Sequence, residues 1–259
     1  MDSRGLTRIQ AIAANTFRET VRERVLYNLV FFAILMTLSG LLLGQLSIRQ
    51  DEKIIKDIGL AAMELFGTMI AIFIGVGLVS KEIERRSVYP LLAKPLSRDE
   101  LLVGKFLGLA FTLFVNLAIM ALGLYLTLLL TGRRADPHLM KAVYGIFLAL
   151  LVVVAFALLF STVTSTALAA VATVCVVIAG RFADVIRNMR EVAPGAPGWL
   201  TTAIYHVLPD FRSFDFKNAV AYGDPVPLRA LAWVSLYALV YTAIVLGAAL
   251  TLFRSRDFR

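Results

Sequence analysis

Few residues of this chain combine the types and spacing that catalysis requires. It has two histidines, one cysteine and scattered carboxylates, with no H-E-x-x-H, no G-x-S-x-G and no pair of acids inside one apolar run. A nucleophile with its base, or a set of metal ligands, is therefore missing at any shared depth. The G-x-x-x-x-G-K-[ST] loop that cradles nucleotide phosphates is absent from the sequence too. His206 and Asp210 stand at i and i+4, a spacing that can bind a metal but more often marks a solvated helix face. Cys175 lies in an apolar run, where a thiol packs as a small hydrophobe, and a single cysteine excludes an intramolecular disulfide. Two polar residues stand inside long apolar runs. Glu64 has to face a cavity, a partner chain or the outer boundary, because an ionised carboxylate against lipid is costly. It reads either as part of a substrate path or as a structural hydrogen-bonding centre. Asn116 reads first as an interhelical hydrogen bond and second as a path contact. The chain is expected to be no enzyme and to hold neither metal nor cofactor itself.

The densest polar chemistry is the connector from Lys81 to Lys105, with six Lys/Arg and four Asp/Glu between two apolar runs. It cannot lie in hydrocarbon, where one central charge costs about 2.5 to 3.5 kcal/mol on insertion scales. Its residues are those of joints and caps. Pro90 lacks an N–H and restricts Tyr89, so a helix entering from the preceding run stops near Val88. A short helix starts on Pro90 and runs to Lys94, where Pro95 ends it. Ser97 and Glu100 then form an S-x-x-E capping box, flanked by Leu96 and Leu101 as a hydrophobic staple, so a new helix starts at Ser97. The short helix presents Tyr89, Leu91 and Leu92 to water.

The order Glu82, Glu84, Ser87, Leu91-Leu92, Pro95, Ser97-Arg98, Glu100, Gly104-Lys105 resembles the E-x-E-x-G-T-x-x-x-L-L-x-x-P-x-S-R-x-x-x-x-x-G-K pattern of type-2 ABC exporter permeases. Arg86 stands where that pattern has glycine. The resemblance implies that the connector is a cytoplasmic coupling helix docking on an ATP-hydrolysing partner, with Glu82, Glu84, Arg85, Tyr89, Pro90, Leu91, Leu92 and Lys94 as contacts. It also implies that ATP and Mg are bound by that partner and that a second copy or a similar permease completes the path.

Composition supports a membrane class. The chain of 259 residues is 59% hydrophobic and 17% charged, against about a quarter charged in soluble domains. Its net charge of +8 is spread over every segment without aromatic interleaving, which favours anionic lipid headgroups over nucleic acid.

The expected fold is all-α and integral to the membrane, one permease domain over residues 1–259. Residues 4–22 form an amphipathic helix, with Leu6, Ile9, Ala13, Phe17 and Val21 on one face and Arg4, Arg8, Asn15, Arg18 and Arg22 opposite. It lies in the bilayer interface or on the protein's own cytoplasmic surface. Spans follow at 25–48, 58–80, 101–131, 139–160, 167–186 and 230–253. The connector is 81–100 and an extracytoplasmic loop is 187–228. Arg49 to Lys56 reads as a polar loop, with Asp57 capping the second span; Asp136-Pro137 and Asp224-Pro225 read as caps of the fourth and sixth. From Ala142 to Gly180 no charge occurs in 39 residues. As one helix that is about 58 Å, nearly twice the hydrocarbon thickness, so the run must fold back, most simply at Ser161–Thr166. Small residues mark close helix approach at Gly40 and Gly44, and at Gly67, Ala71 and Gly75. Six spans place both termini on one side. With the connector in the cytoplasm of a cell carrying this chain in its inner or plasma membrane, 14 Lys/Arg fall inside and 12 outside, the sense of the positive-inside rule.

Two functions fit these expectations. One is the membrane-spanning half of an ATP-driven exporter, paired as a dimer. The other is a non-transporting anchor or assembly scaffold that recruits a cytoplasmic partner through the same connector.

Overall fold

The computed structural model describes residues 3–20, 31, 32, 34, 35, 51–84, 98–132, 136–182, 208–222 and 224–255. Its elements are α1 (Ser3–Thr20), α2 (Asp51–Glu84), α3 (Arg98–Leu130), α4 (Leu139–Val163), α5 (Thr166–Arg181), a 3-10 turn (Phe211–Phe214), α6 (Lys217–Tyr222) and α7 (Leu228–Ser255). Among the described residues four stretches are long and apolar enough to cross a bilayer: Lys53–Gly77, Asp99–Leu130, Leu139–Val163 and Leu228–Arg254; Thr166–Arg181 is a shorter apolar helix. The protein is therefore an α-helical membrane protein. Of the expected span 25–48 only Phe31, Phe32, Ile34 and Leu35 are described. They are helical, with Phe32 buried and the Phe31 ring edge-on to Phe66 at 5.3 Å.

α4 is the central helix. From Leu148 to Leu158 every residue but Leu151 is buried, because an all-round apolar sequence has no solvent face to keep and packs neighbours on every side. The stripe Gly67, Ala71, Gly75 is the seam between α2 and α4. A Cβ at Gly67 would stand 2.6 Å from Leu150 Cδ1, and one at Gly75 2.9 Å from Ala157 Cβ. Both pairings advance in the same direction, so α2 and α4 run parallel, α2 towards the connector and α4 towards its turn. That turn is only Thr164 and Ser165, inside the expected Ser161–Thr166. The hydroxyls of Ser161, Thr162 and Thr164 donate back to the carbonyls of Leu158 (2.8 Å), Leu159 (2.7 Å) and Phe160 (3.0 Å), satisfying acceptors where the helix ends and no water is assured.

Four local readings are corrected. Residues 51–56 are helical rather than a loop, and Asp57 lies inside α2 rather than capping it. No proline interrupts 51–84, so nothing in the sequence stops the helix from starting upstream of Asp57. α2 and α3, with 34 and 33 residues, are each about 50 Å long and overreach the ~30 Å hydrocarbon core. Asp136 acts one step before its helix: its carboxylate accepts from His138 N (2.9 Å), its carbonyl accepts from Leu139 N (3.1 Å), and α4 begins at Leu139. Asp224 does not cap α7, which starts at Leu228, where the Pro227 carbonyl accepts from Ala230 N (3.0 Å); Asp224 N instead donates to Ala219 O (2.7 Å). Finally, the expected loop 187–228, where it is described at 208–222 and 224–228, carries the 3-10 turn and α6.

Candidate functional site

The connector joins the end of α2 to the start of α3. Glu82 and Glu84 fall on the last turn of α2; Arg85, Tyr89, Pro90, Leu91, Leu92, Lys94 and Ser97 lie outside the described residues, as does His206. Its exit is described. α3 begins at Arg98, one residue past the expected cap Ser97. Its first two acids reach to opposite ends of the chain. Glu100 pairs with Arg8 of α1 at 3.8 Å. Asp99 takes a two-pronged bond from the Arg254 guanidinium near the end of α7, Nε to Oδ1 at 2.8 Å and the second nitrogen to Oδ2. The first turns of α1 and the last turn of α7 therefore lie at the connector end of α3.

α1 packs against α3. It runs alongside α3, whose Gly104 would place a Cβ 2.8 Å from Ile12, and whose Gly108 would place one 2.7 Å from the Ala13 carbonyl and from Thr16 Cβ. One turn further on, Phe17 meets Phe111 edge-on at 4.8 Å. The contacts step in register, so the two helices are parallel over about three turns. Ile9, Thr16 and Thr20 are buried there, while Gln10, Asn15, Arg18 and Glu19 remain exposed. The helix thus packs on α3 along the side that carries Ile9, Ile12 and Thr16. Gly104 and Gly108 are a G-x-x-x-G pair that the sequence reading passed over while noting Gly40 and Gly44, and Gly104 also belongs to the connector pattern.

At the other end, α5 has only 16 residues, about 24 Å, and falls short of the ~30 Å core. The segment 208–222 closes over it. Gly180 approaches so near that a Cβ there would lie 2.3 Å from the Pro209 carbonyl, and one at Gly145 of α4 would lie 2.4 Å from the Phe214 carbonyl. Phe211 and Phe214 are buried in this cap. Asp210 caps the 3-10 turn, accepting from Arg212 N (3.0 Å) and Ser213 Oγ (2.7 Å), and its own N–H donates to Tyr237 Oη (3.0 Å). From the cap an unbroken series of ring contacts descends: Phe211 to Phe214 (6.3 Å), Tyr237 (5.7 Å), Tyr241 (5.6 Å), Phe156 (6.0 Å) and Phe160 (6.0 Å). Nothing in the sequence linked these rings, which come from three separate segments.

Glu64 lies at this distal end, inside the apolar stretch of α2, and is held by two cations: Arg181 from the last turn of α5 and Lys217 from the first residue of α6. Lys217 also lies 3.7 Å from Asp215. A carboxylate with 15% side-chain exposure is tolerable there because both oxygens are paired and the two partners neutralise it. Asn116 behaves otherwise. It is 2% exposed on α3, and neither its amide nitrogen nor its oxygen has a hydrogen-bond partner among the described residues. The interhelical bond expected for it is thus not made with any described residue, and no hydrogen bond joins Asn116 to Glu64. Among the described residues no group of three or more His, Cys, Asp or Glu could hold a metal.

A bundle of long apolar helices, a charged connector between two of them and termini gathered beside its exit define a membrane permease architecture. A family model described as ABC-2 family transporter protein matches residues 10–258, and the chain belongs to that family. No curated protein matches it. Membership makes the chain a membrane-embedded permease component of an ABC transporter and implies an ABC ATPase as its partner.

Proposed function

We propose that the chain is the membrane-spanning permease subunit of an ATP-driven exporter of the type-2 class, which forms a translocation path as a homodimer or with a similar permease. Its connector, residues 81–100, faces the cytoplasm with both termini and seats Tyr89, Leu91 and Leu92 in a groove on each separate ATPase subunit. ATP and Mg bind in that partner, and this chain does no chemistry. The observation that carries the reading is the family match over 10–258, and the geometry agrees with it. α2 and α3 are rigid rods longer than the bilayer core, so a push on the connector between them is carried the length of the bundle. Closure of the ATPase pair on ATP would tilt the two rods together and alternate access to the path.

The expected result is that Leu91→Asp, and separately Leu92→Asp, abolishes co-purification of the ATPase while the permease still inserts in the membrane at normal level. A buried carboxylate in an apolar groove costs several kcal/mol, about a thousandfold in affinity. Undiminished recovery of the ATPase with both variants would remove the connector from this role.

A further inference from the structure

We propose that Arg181 holds the phosphate of a phospholipid in the leaflet away from the connector, at a place where α2 and α5 make the bilayer thin. The inference goes beyond the permease reading and needs no movement of the bundle. It starts from unequal apolar heights around the molecule. α5 spans 16 residues from the Thr164–Ser165 turn to Arg181, about 24 Å, and exposes Leu168, Val171, Val174 and Ile178 on the way. Its neighbour α2 is limited to nearly the same height. The exposed apolar residues Leu65, Met69 and Phe73 lie between Glu64 and Lys81 of that helix, which are about 25 Å apart. Beyond Glu64, α2 exposes Asp57 and Lys53, and the cap exposes Arg212, Ser213 and Asp215. These groups need water or headgroups. On α3, by contrast, every exposed residue from Leu107 to Leu130 is apolar, a height of about 35 Å. A hydrocarbon core of about 30 Å therefore suits α3 and is roughly 5 Å too thick for α2 and α5.

Arg181 stands at this step. Its side chain is 42% exposed, Phe182 beside it is exposed as well, and among the described residues its guanidinium bonds only to Glu64, through a single nitrogen. A guanidinium has five N–H donors, so most of them are left unmatched where unmatched donors are costly. Charge points the same way. Glu64 is shared by two cations, and Asp215 lies 3.7 Å from Lys217, so neutralisation is least complete at Arg181. A lipid phosphate supplies what is missing: paired oxygens for the planar fork of donors and a negative charge, with its acyl chains laid along the exposed side of α5. Drawing that headgroup inward shortens the hydrocarbon beside α5, and the charge contact offsets the modest cost of the mismatch.

The test uses the full-length chain with Trp199→Phe and Trp233→Phe, and with Phe182→Trp as the single fluorescent reporter, in phosphatidylcholine vesicles. Part of the lipid carries brominated acyl chains, which quench an indole on contact. Brominated phosphatidylglycerol is expected to quench this reporter with about fivefold higher affinity than brominated phosphatidylcholine, the equivalent of ~1 kcal/mol for one basic side chain at an anionic surface. Arg181→Lys is expected to keep most of that preference and Arg181→Gln to lose it, with the emission maximum unchanged as the sign that α5 is still seated. A reporter placed instead by Leu126→Trp, on the exposed side of α3, is expected to show no preference. Equal quenching by the two lipids at position 182 in the parent overturns the site without appeal to any variant at Arg181. So does a preference that survives Arg181→Gln, or one that inorganic phosphate abolishes, which marks a site for free anions. A reporter at 182 quenched by neither lipid means that a second copy of the chain covers α5, and it overturns the site as well.

Discussion

Gly108→Leu is expected to detach α1 from α3. The Cβ alone would lie 2.7 Å from the Ala13 carbonyl, a backbone atom that no rotamer change can move, and Leu adds three carbons beyond it. Accommodation requires α1 to slide or lift as a body, at a cost of about 1–3 kcal/mol for an overpacked contact, with more if the helix leaves. Loss of α1 takes Phe17 away from Phe111 and, at the connector's exit, removes Arg8 from Glu100. Trypsin cleavage at Arg18 and the thermal midpoint in detergent read the effect: faster cleavage and a lower midpoint are expected. Gly247→Ala is the control, since a Cβ there meets nothing within 4 Å and helix propensity alone favours Ala by about 0.5–1 kcal/mol. If Gly108→Leu and Gly247→Ala are equally stable, α1 is not seated in this groove.

Gly145→Leu is expected to have the larger effect. The Phe214 carbonyl would lie 2.4 Å from the new Cβ and the Phe216 ring 2.8 Å, and α4 is too enclosed to move away. The cap has to leave, taking the buried Phe211 and Phe214 out of contact with Tyr237. Each aromatic contributes about 1.5–3 kcal/mol when fully buried, so the cost is roughly 3 kcal/mol or more. Proteolysis at Arg212 and Lys217, slow in the parent, becomes fast in the variant. Even Gly145→Ala is expected to cost measurably, because the collision begins at Cβ.

Much of the scaffold was legible because the bilayer imposes simple lengths. An uncharged run of 39 residues had to fold back, and hydroxyls were the only residues in it able to satisfy a helix end, so the turn fell among them. The Gly67, Ala71, Gly75 stripe is the α2–α4 seam because close approach needs small side chains at four-residue steps. Local capping rules served less well. Asp57 and Asp224 are the right residue type before an apolar run, yet α2 continues upstream of one and α7 starts three residues after Pro225. Nothing in the hydrogen-bonding capacity of an Asp forces a helix to begin there. The candidate site was least legible where partners are far apart in sequence. Glu64 was singled out as the one acid inside an apolar run, but Arg181 and Lys217 lie 117 and 153 residues away, and no periodicity connects them. α1 had the pattern of an interfacial helix, and only the Gly104–Gly108 pair, not singled out in the sequence, pointed to the groove on α3 beside which Ile9 and Thr16 are buried.

In the proposed permease the connector and the chain ends share one face of the bundle while the cap 208–222 closes the other. Cysteines placed singly at Tyr89, Ser3 and Asp215 in the Cys175→Ala chain, and labelled in intact cells with an impermeant maleimide before and after permeabilisation, test this directly. The expected result is immediate labelling at Asp215 only, with Tyr89 and Ser3 reached after the membrane is opened. Labelling of Tyr89 from outside the intact cell, or of Tyr89 and Asp215 from the same side, would contradict it.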